Sequence, residues 1–345
     1  MEDDKKRIRL DEVTLMRTIL ALLIVFMHAF TCYNGGWKQP SGYVDIPLYK
    51  WLARFSFAYT LEAFVFISGY LFAFKQITLN HVENGMGLIV NKLKRLMLPS
   101  IIFSALYFVI FYEYKGVSNM LYSIINGCGH MWYLPMLFWC FIGGWLLEKV
   151  KIKDGWKMAF LVLLNLFMFV SLPLQLSSVA LFMVYFYSGV LVYKHSDKIK
   201  NFITIRQLFV LWIIFLILFF IFRPLRDVLT SDFAYSHMQK LLFFIANRAC
   251  QLLYAWMGVI AFYATAVYYT QHHQLSKTSI TTATCCFGIY LFQQFVLQFL
   301  YYKTDFPTIV GPYWLPWCGF MIAAMVSYVL SALLLKTKTG RFLIG

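Results

Sequence analysis

Arg17, His28, Glu62 and Arg248 sit inside long apolar runs, and His130 sits at the edge of one. An ionisable side chain at bilayer depth costs at least ~2.5 kcal/mol on insertion, so such groups face a bundle interior and mark a site. Arg17 and His28 are eleven residues apart, and at 100° per helical residue that spacing returns to within ~20° of one face, ~16 Å along the axis. One stripe thus carries a permanent cation and a base. Histidine suits proton abstraction because its ordinary pKa of ~6.5 lies near working pH. The plainer alternative is that Arg17 snorkels to the headgroups and His28 is a hydrogen-bonded bundle histidine. Glu62 lies about ten residues into a span running the other way, which brings it to roughly the depth of His28. A carboxylate there would orient the imidazole tautomer, as in acyl-transfer sites; alternatively it ties helices together by pairing with Arg248. Ser68-Gly69 taken alone reads as a small-residue contact between packed helices. The run Lys92-Leu93-Lys94-Arg95 before Pro99 either grips a phosphorylated cofactor or sets topology.

These groups need helices to hold them. Of 345 residues 61% are hydrophobic, 20% aromatic and only 13% charged, with mean hydropathy +0.68. Soluble domains carry about a quarter charged residues, so the chain reads as an all-α integral membrane protein forming one bundle. The net charge of +15 would suggest nucleic acid in a soluble protein. Here the charges fall between apolar runs, as orientation signals and contacts to anionic membrane lipids require, and no nucleic-acid platform is visible. Seven cysteines, Cys32, Cys128, Cys140, Cys250, Cys285, Cys286 and Cys318, show no metal-ligand spacing and read as small buried apolar residues. No metal constellation or nucleotide-binding glycine loop is present. The first apolar run contains Arg17 and lacks a clean cleavage site, so it reads as a retained span.

A bilayer span takes ~20 apolar residues, which gives about ten candidates: 14–33, 53–74, 96–114, 131–147, 157–172, 177–193, 207–222, 241–269, 283–302 and 313–335. The fifth and sixth are split by Ser171-Leu172-Pro173 and the residues after it. The expected organisation is one domain over 1–345, with a tail at 1–13, a ten-helix bundle at 14–335 and a tail at 336–345. Of the 30 Lys and Arg, twenty fall in the tails and in the loops on the tails' side, among them Lys5, Lys6, Arg7 and Arg9, and eight in the opposite loops. The cytoplasmic side retains the basic excess, which predicts both termini in the cytoplasm.

In order along the chain, five segments resemble the membrane acyltransferase 3 family. Arg17 and His28 match its Arg, ten residues, His pattern. Phe64-Val65-Phe66-Ile67-Ser68-Gly69-Tyr70-Leu71 is similar to its aromatic-rich Ser-Gly-Tyr-Leu segment, and Arg95-Leu96-Met97-Leu98-Pro99 to its basic cluster leading to proline. His130-Met131-Trp132-Tyr133-Leu134 resembles its His-x-Trp-Phe-Leu, and Phe287-Gly288-Ile289-Tyr290-Leu291 its Gly-Ile-Tyr-Leu. The chain departs in having Gln293-Gln294 where the family often has His, and a Lys-rich basic cluster with one extra residue before Pro99.

The resemblance implies an acyl-CoA-dependent O-acyltransferase of the bacterial inner membrane. It would pass an acyl group, most often acetyl from acetyl-CoA, to a sugar hydroxyl of a cell-envelope glycan or lipid-linked saccharide. The residues then expected at the site are His28 as general base with Glu62 as its orienting partner, Arg17, Ser68, Lys92, Lys94 and Arg95 on the cofactor, and His130, Trp132, Tyr133, Arg248, Tyr290 and Gln293 on the carbohydrate acceptor. Trp37, Tyr43, Tyr313 and Trp314 offer rings for a sugar or for the interface. The rival class is a transporter or flippase for a polysaccharide or lipid-linked sugar, but the internal symmetry common in transporters is missing from the sequence. A bare membrane anchor would not carry buried charges at matched depth.

Overall fold

The computed structural model describes residues 9–79, 84–230 and 236–344. Lys5, Lys6 and Arg7 of the basic tail lie outside them. Among the described residues the fold is helical, without strands. The helices are α1 Asp11–Ala29, α2 Pro47–Ser56, α3 Thr60–Ile77, α4 Gly85–Lys92, α5 Leu98–Phe111, α6 Val117–Asn126, α7 Tyr133–Lys149, α8 Asp154–Leu166, α9 Leu176–Lys194, α10 Ser196–Phe202, α11 Ile205–Leu229, α12 His237–His272, α13 Lys277–Tyr302, α14 Phe306–Val310, α15 Leu315–Leu334 and α16 Lys338–Ile344.

Nine helical segments among the described residues are long and apolar enough to cross a membrane, one fewer than the sequence predicts. The missing one is α8, whose 13 residues rise only ~20 Å. The chain nevertheless makes the return pass. Asp154 at the start of α8 meets Lys194 at the end of α9, and Asn165 donates to the Leu181 carbonyl at 2.8 Å. Residues 167–175 complete the traverse as irregular backbone, with Leu174 and Gln175 at positive φ and both hydrogen-bonded to Asn126, at the far end of the bundle. The described chain begins and ends at one end of the bundle. There Glu12 of α1 pairs with Lys200, and α16 packs on α5 and the turn before it.

Close helix contact organises the centre. A Cβ on Gly69 would lie 1.8 Å from the Phe186 carbonyl oxygen, and one on Gly189 2.0 Å from that of Phe66. The backbones of α3 and α9 therefore touch, as small residues allow in a bilayer. Gly69 serves this contact, and Ser68, one residue back, is turned away from it. Helices α11 and α15 are the least covered of the spanning helices, with Phe209, Ile217, Phe220, Met325 and Val329 turned outward as lipid-facing surfaces require. The seven cysteines are all free thiols, six of them buried.

Candidate functional site

A series of cavities runs through the bundle from the end that carries the termini. The first, about 200 Å³, is lined by Ser68, Leu71, Lys75, Lys92, Arg95, Phe141 and Trp145 among others. Residues Leu93–Met97 form a π-helical turn between α4 and α5, a local widening of the helix that often accompanies sites. Lys92 and Arg95, three residues apart across it, both reach the cavity, and the Lys92 ammonium lies 3.4 Å over the Phe141 ring. Lys94 is exposed and lines none of these cavities.

The second cavity, about 260 Å³, shares Ser68 and Leu71 with the first and is otherwise mostly apolar. Arg17 lines it, half-buried, beside the Cys286 thiol, and joins no ion pair among the described residues. An arginine at this depth with no carboxylate calls for an anionic or carbonyl partner. Tyr133 and Tyr290 line this cavity too, and the Tyr133 hydroxyl is buried without a partner. These two tyrosines, expected on the acceptor, lie instead on the Arg17 side. Helix α1 thus sends Arg17 and Ile24 into the second cavity, and His28, one turn beyond Ile24, into a third.

The third cavity, about 450 Å³, is lined by His28, Thr31, Trp37, Phe57, Tyr107, His130, Trp132, Gln294 and Gln298 among others. Its wall toward the second cavity is tied by hydrogen bonds. Tyr290 donates its hydroxyl to the His130 carbonyl at 2.5 Å, and the His130 Nε2–H donates to the Leu291 carbonyl at 3.1 Å. His28 Nδ1 lies 2.9 Å from the Ile24 carbonyl and 3.0 Å from the Gln293 side-chain amide. A carbonyl can only accept, so Nδ1 carries the proton and Nε2 keeps the lone pair. An amide nitrogen facing Nδ1–H would oppose donor to donor. Turning the Gln293 amide about its axis lets Oε1 accept and also satisfies an oxygen otherwise buried without a donor.

The two histidine rings lie 6.1 Å apart and carry opposite tautomers, each set by a backbone carbonyl. His130 Nδ1 and Gln294 Oε1 are buried acceptors with no donor, on the wall of the third cavity. Each such acceptor costs about 1–3 kcal/mol unless a ligand or water donates to it. Trp37 stacks on His28 at 5.8 Å, and Trp132 lies 5.9 Å from Phe182. Gly129, at φ +56°, lets the chain turn into His130, and a Cβ at this position would lie 2.8 Å from the Tyr107 ring.

Glu62 does not join His28. It follows Leu61, which lines the second cavity, and one step of 100° turns it to another face of α3. It faces Gln251 and Arg226 and lines a separate pocket of about 60 Å³ with Asn165, Tyr185 and Arg248. Arg226 is held there by Asn247, Gln251 and Tyr254. The alternative Glu62 to Arg248 ion pair does not form among the described residues either. Arg248 lies over the Phe244 ring, away from the His28 cavity where an acceptor contact was expected.

Sequence reasoning missed Thr31, Phe57, Tyr107 and Gln298 on the third cavity. None stands at a telling spacing, and only the fold brings them to His28. No group of three or more His, Cys, Asp or Glu able to hold a metal ion occurs among the described residues. A family model described as acyltransferase domain, that of the acyltransferase 3 family, matches residues 10–336. No curated protein and no solved structure matches the chain.

Proposed function

The chain belongs to the membrane acyltransferase 3 family, and from that premise we propose that it moves an acyl group from acyl-CoA, most simply acetyl-CoA, to a sugar hydroxyl across the His28 wall. The observation that carries this reading is the paired arrangement at that wall. On one side lies a cavity with a half-buried, unpaired Arg17, opening through Ser68 to a mouth with Lys75, Lys92 and Arg95. On the other lies an aromatic cavity whose buried acceptors lack donors. The basic mouth suits the phosphates of a nucleotide-bearing thioester. The apolar second cavity suits the pantetheine arm, with Arg17 on its carbonyls. Sugar hydroxyls would donate to His130 Nδ1 and Gln294 Oε1 while a sugar face stacks on Trp37 or Trp132.

In this mechanism His28 Nε2 takes the proton of the acceptor hydroxyl as the oxygen attacks the thioester carbonyl. The tetrahedral intermediate collapses, the carbon–sulfur bond breaks, and the CoA thiolate receives the proton from His28. Tyr133, whose buried hydroxyl lacks a partner on the second cavity, is the proposed donor to the developing oxyanion. Gln293 and Ile24 position His28. The terminal end of the bundle, with the basic mouth, then faces the cytoplasm, in keeping with the excess of Lys and Arg on that side, and the third cavity faces outward in a bacterial inner membrane. An impermeant thiol reagent that labels cysteines introduced in the 336–345 tail from outside intact cells would reverse this orientation.

The deciding measurement is release of CoA thiol and appearance of acylated sugar from purified protein given acetyl-CoA and an envelope saccharide, wild type beside His28→Ala. General base catalysis accounts for 10²–10⁴-fold, so the variant is expected to lose about that much while remaining monodisperse. A folded His28→Ala protein with full transfer would refute the assignment. Sugar movement across liposomes without thioester turnover would favour the transporter.

A further inference from the structure

A further cavity, a groove beside α11, takes no part in the reaction scheme. It holds about 950 Å³ between α10, the start of α11 and the middle of α12. Phe202, Ile203, Val210, Leu211, Ile260 and Ala264 give it an apolar floor, and Lys198 and Arg206 stand at its rim. Both cations are exposed, and neither joins an ion pair among the described residues. The neighbouring Lys194 and Lys200, by contrast, are each engaged, with Glu148 and Asp154 and with Glu12. The rim also holds the first turn of the 25-residue α11, capped by Thr204 and Gln207. Helix α11 is among the least covered in the bundle and presents Phe209, Ile213 and Ile217 to its surroundings. The groove therefore opens sideways at the level where a spanning helix enters the bilayer.

We propose that this groove is a binding site for one anionic glycerophospholipid of the surrounding bilayer. The phosphate sits between Lys198 and Arg206, and an acyl chain runs down the groove past Val210 and Leu211 to Ile260 and Ala264. Charge selects the headgroup. Juxtamembrane cations attract anionic lipid with roughly a fivefold gain each, so the pair gives a preference of about 30-fold over a zwitterionic lipid with the same chains. Shape selects a chain rather than a soluble anion, because the lining below the rim is apolar. The floor of the groove is also tied to α1. Tyr263 packs on Tyr70 at 5.7 Å, and the Tyr70 hydroxyl donates to Glu12, the partner of Lys200. A lipid seated here braces the helix that carries Arg17 and His28 without touching either.

The test is lipid retention by the purified full chain, read by native mass spectrometry after exchange into mixed micelles with equal phosphatidylglycerol and phosphatidylcholine of matched chains. Wild type is expected to keep one phosphatidylglycerol with about 30-fold preference. Lys198→Gln with Arg206→Gln should abolish that preference while the protein stays monodisperse and keeps its basal transfer rate. Ala264→Phe, which fills the groove and leaves both cations, should lose the retained lipid as well. Glycerol phosphate, which lacks chains, should not displace it. Equal retention of the two lipids by wild type, preference unchanged in the double variant, retention unchanged in Ala264→Phe, or displacement by glycerol phosphate would each overturn the proposal.

Discussion

Replacing Gln293 by Leu tests whether His28 acts as a base held in one tautomer. The structure gives His28 Nδ1 two neighbours, the Ile24 carbonyl at 2.9 Å and the Gln293 amide at 3.0 Å. Leucine fills nearly the same volume but accepts no hydrogen bond, so one of the two constraints disappears and the backbone one stays. A buried hydrogen bond is worth about 1–1.5 kcal/mol net, which is about tenfold in rate. The expected loss in kcat/KM is therefore about tenfold for Gln293→Leu against 10²–10⁴-fold for His28→Ala. If Gln293 works only through His28, the double variant is no slower than His28→Ala alone. The assay is acyl transfer by the four proteins of that cycle under one set of conditions. A tenfold loss from Gln293→Leu that persists in the His28→Ala background would refute the argument, because Gln293 would then touch the reacting groups directly.

Glu62→Gln is expected to leave kcat within about fivefold of wild type and to lower stability by no more than about 1 kcal/mol, since it removes a carboxylate that faces Gln251 and the half-buried Arg226 and not a partner of His28; a hundredfold fall in kcat at intact stability would return Glu62 to the base. Gly69→Ala forces apart two backbones that leave 1.8 Å for the new methyl and should cost about 1–3 kcal/mol in detergent unfolding, whereas Ser68→Ala should cost far less, and equal stabilities would contradict the α3 to α9 contact. Burial alone would raise the Asp154 carboxyl, but the Tyr187 hydroxyl and the Lys194 ammonium outweigh it and hold the group below its ordinary value. A depressed carboxyl stabilises the fold above its unfolded pKa and loses that contribution as pH falls through its folded one. The unfolding temperature of Asp154→Asn should therefore lie below wild type at neutral pH, by the equivalent of about 0.5 kcal/mol, and converge with it on acidification; a gap that widens in acid would reverse the sign.

Hydropathy made the spans legible because each pass must be apolar for ~20 residues whatever its neighbours. Where that demand relaxes, the reading slips. The eighth helix stops at Leu166, and the return pass is finished by a loop whose Leu174 and Gln175 take positive φ, a conformation that composition does not announce. The stripe from Arg17 to His28 was visible because both lie on one helix, where angle and rise follow from counting. Glu62 was not, because equal depth on two helices fixes height and leaves rotation free. The turn of α3 that sends Leu61 toward the Arg17 cavity sends Glu62 elsewhere. The pairs His28 with Gln293 and His130 with Tyr290 are separated by more than a hundred and fifty residues, and only the packing of α1, α13 and the turn Gly129–Trp132 before α7 makes them neighbours.

Gln293 and Gln294, at the place where the resemblance implies that a histidine often stands, fit this geometry in physical terms. A third histidine beside His28 and His130 would add another group able to take a charge where two rings already lie 6.1 Å apart, and like charges in a buried site disfavour one another. Gln293 and Gln294 instead bring amides that cannot ionise. One accepts from His28 Nδ1–H; the other donates to the Tyr107 hydroxyl at 3.2 Å and leaves its oxygen without a donor on the wall of the third cavity. On the proposed reading, that substitution exchanges a titratable neighbour for a fixed acceptor. Gln294 then offers the sugar an acceptor of constant polarity beside His130 Nδ1, and proton movement is left to His28.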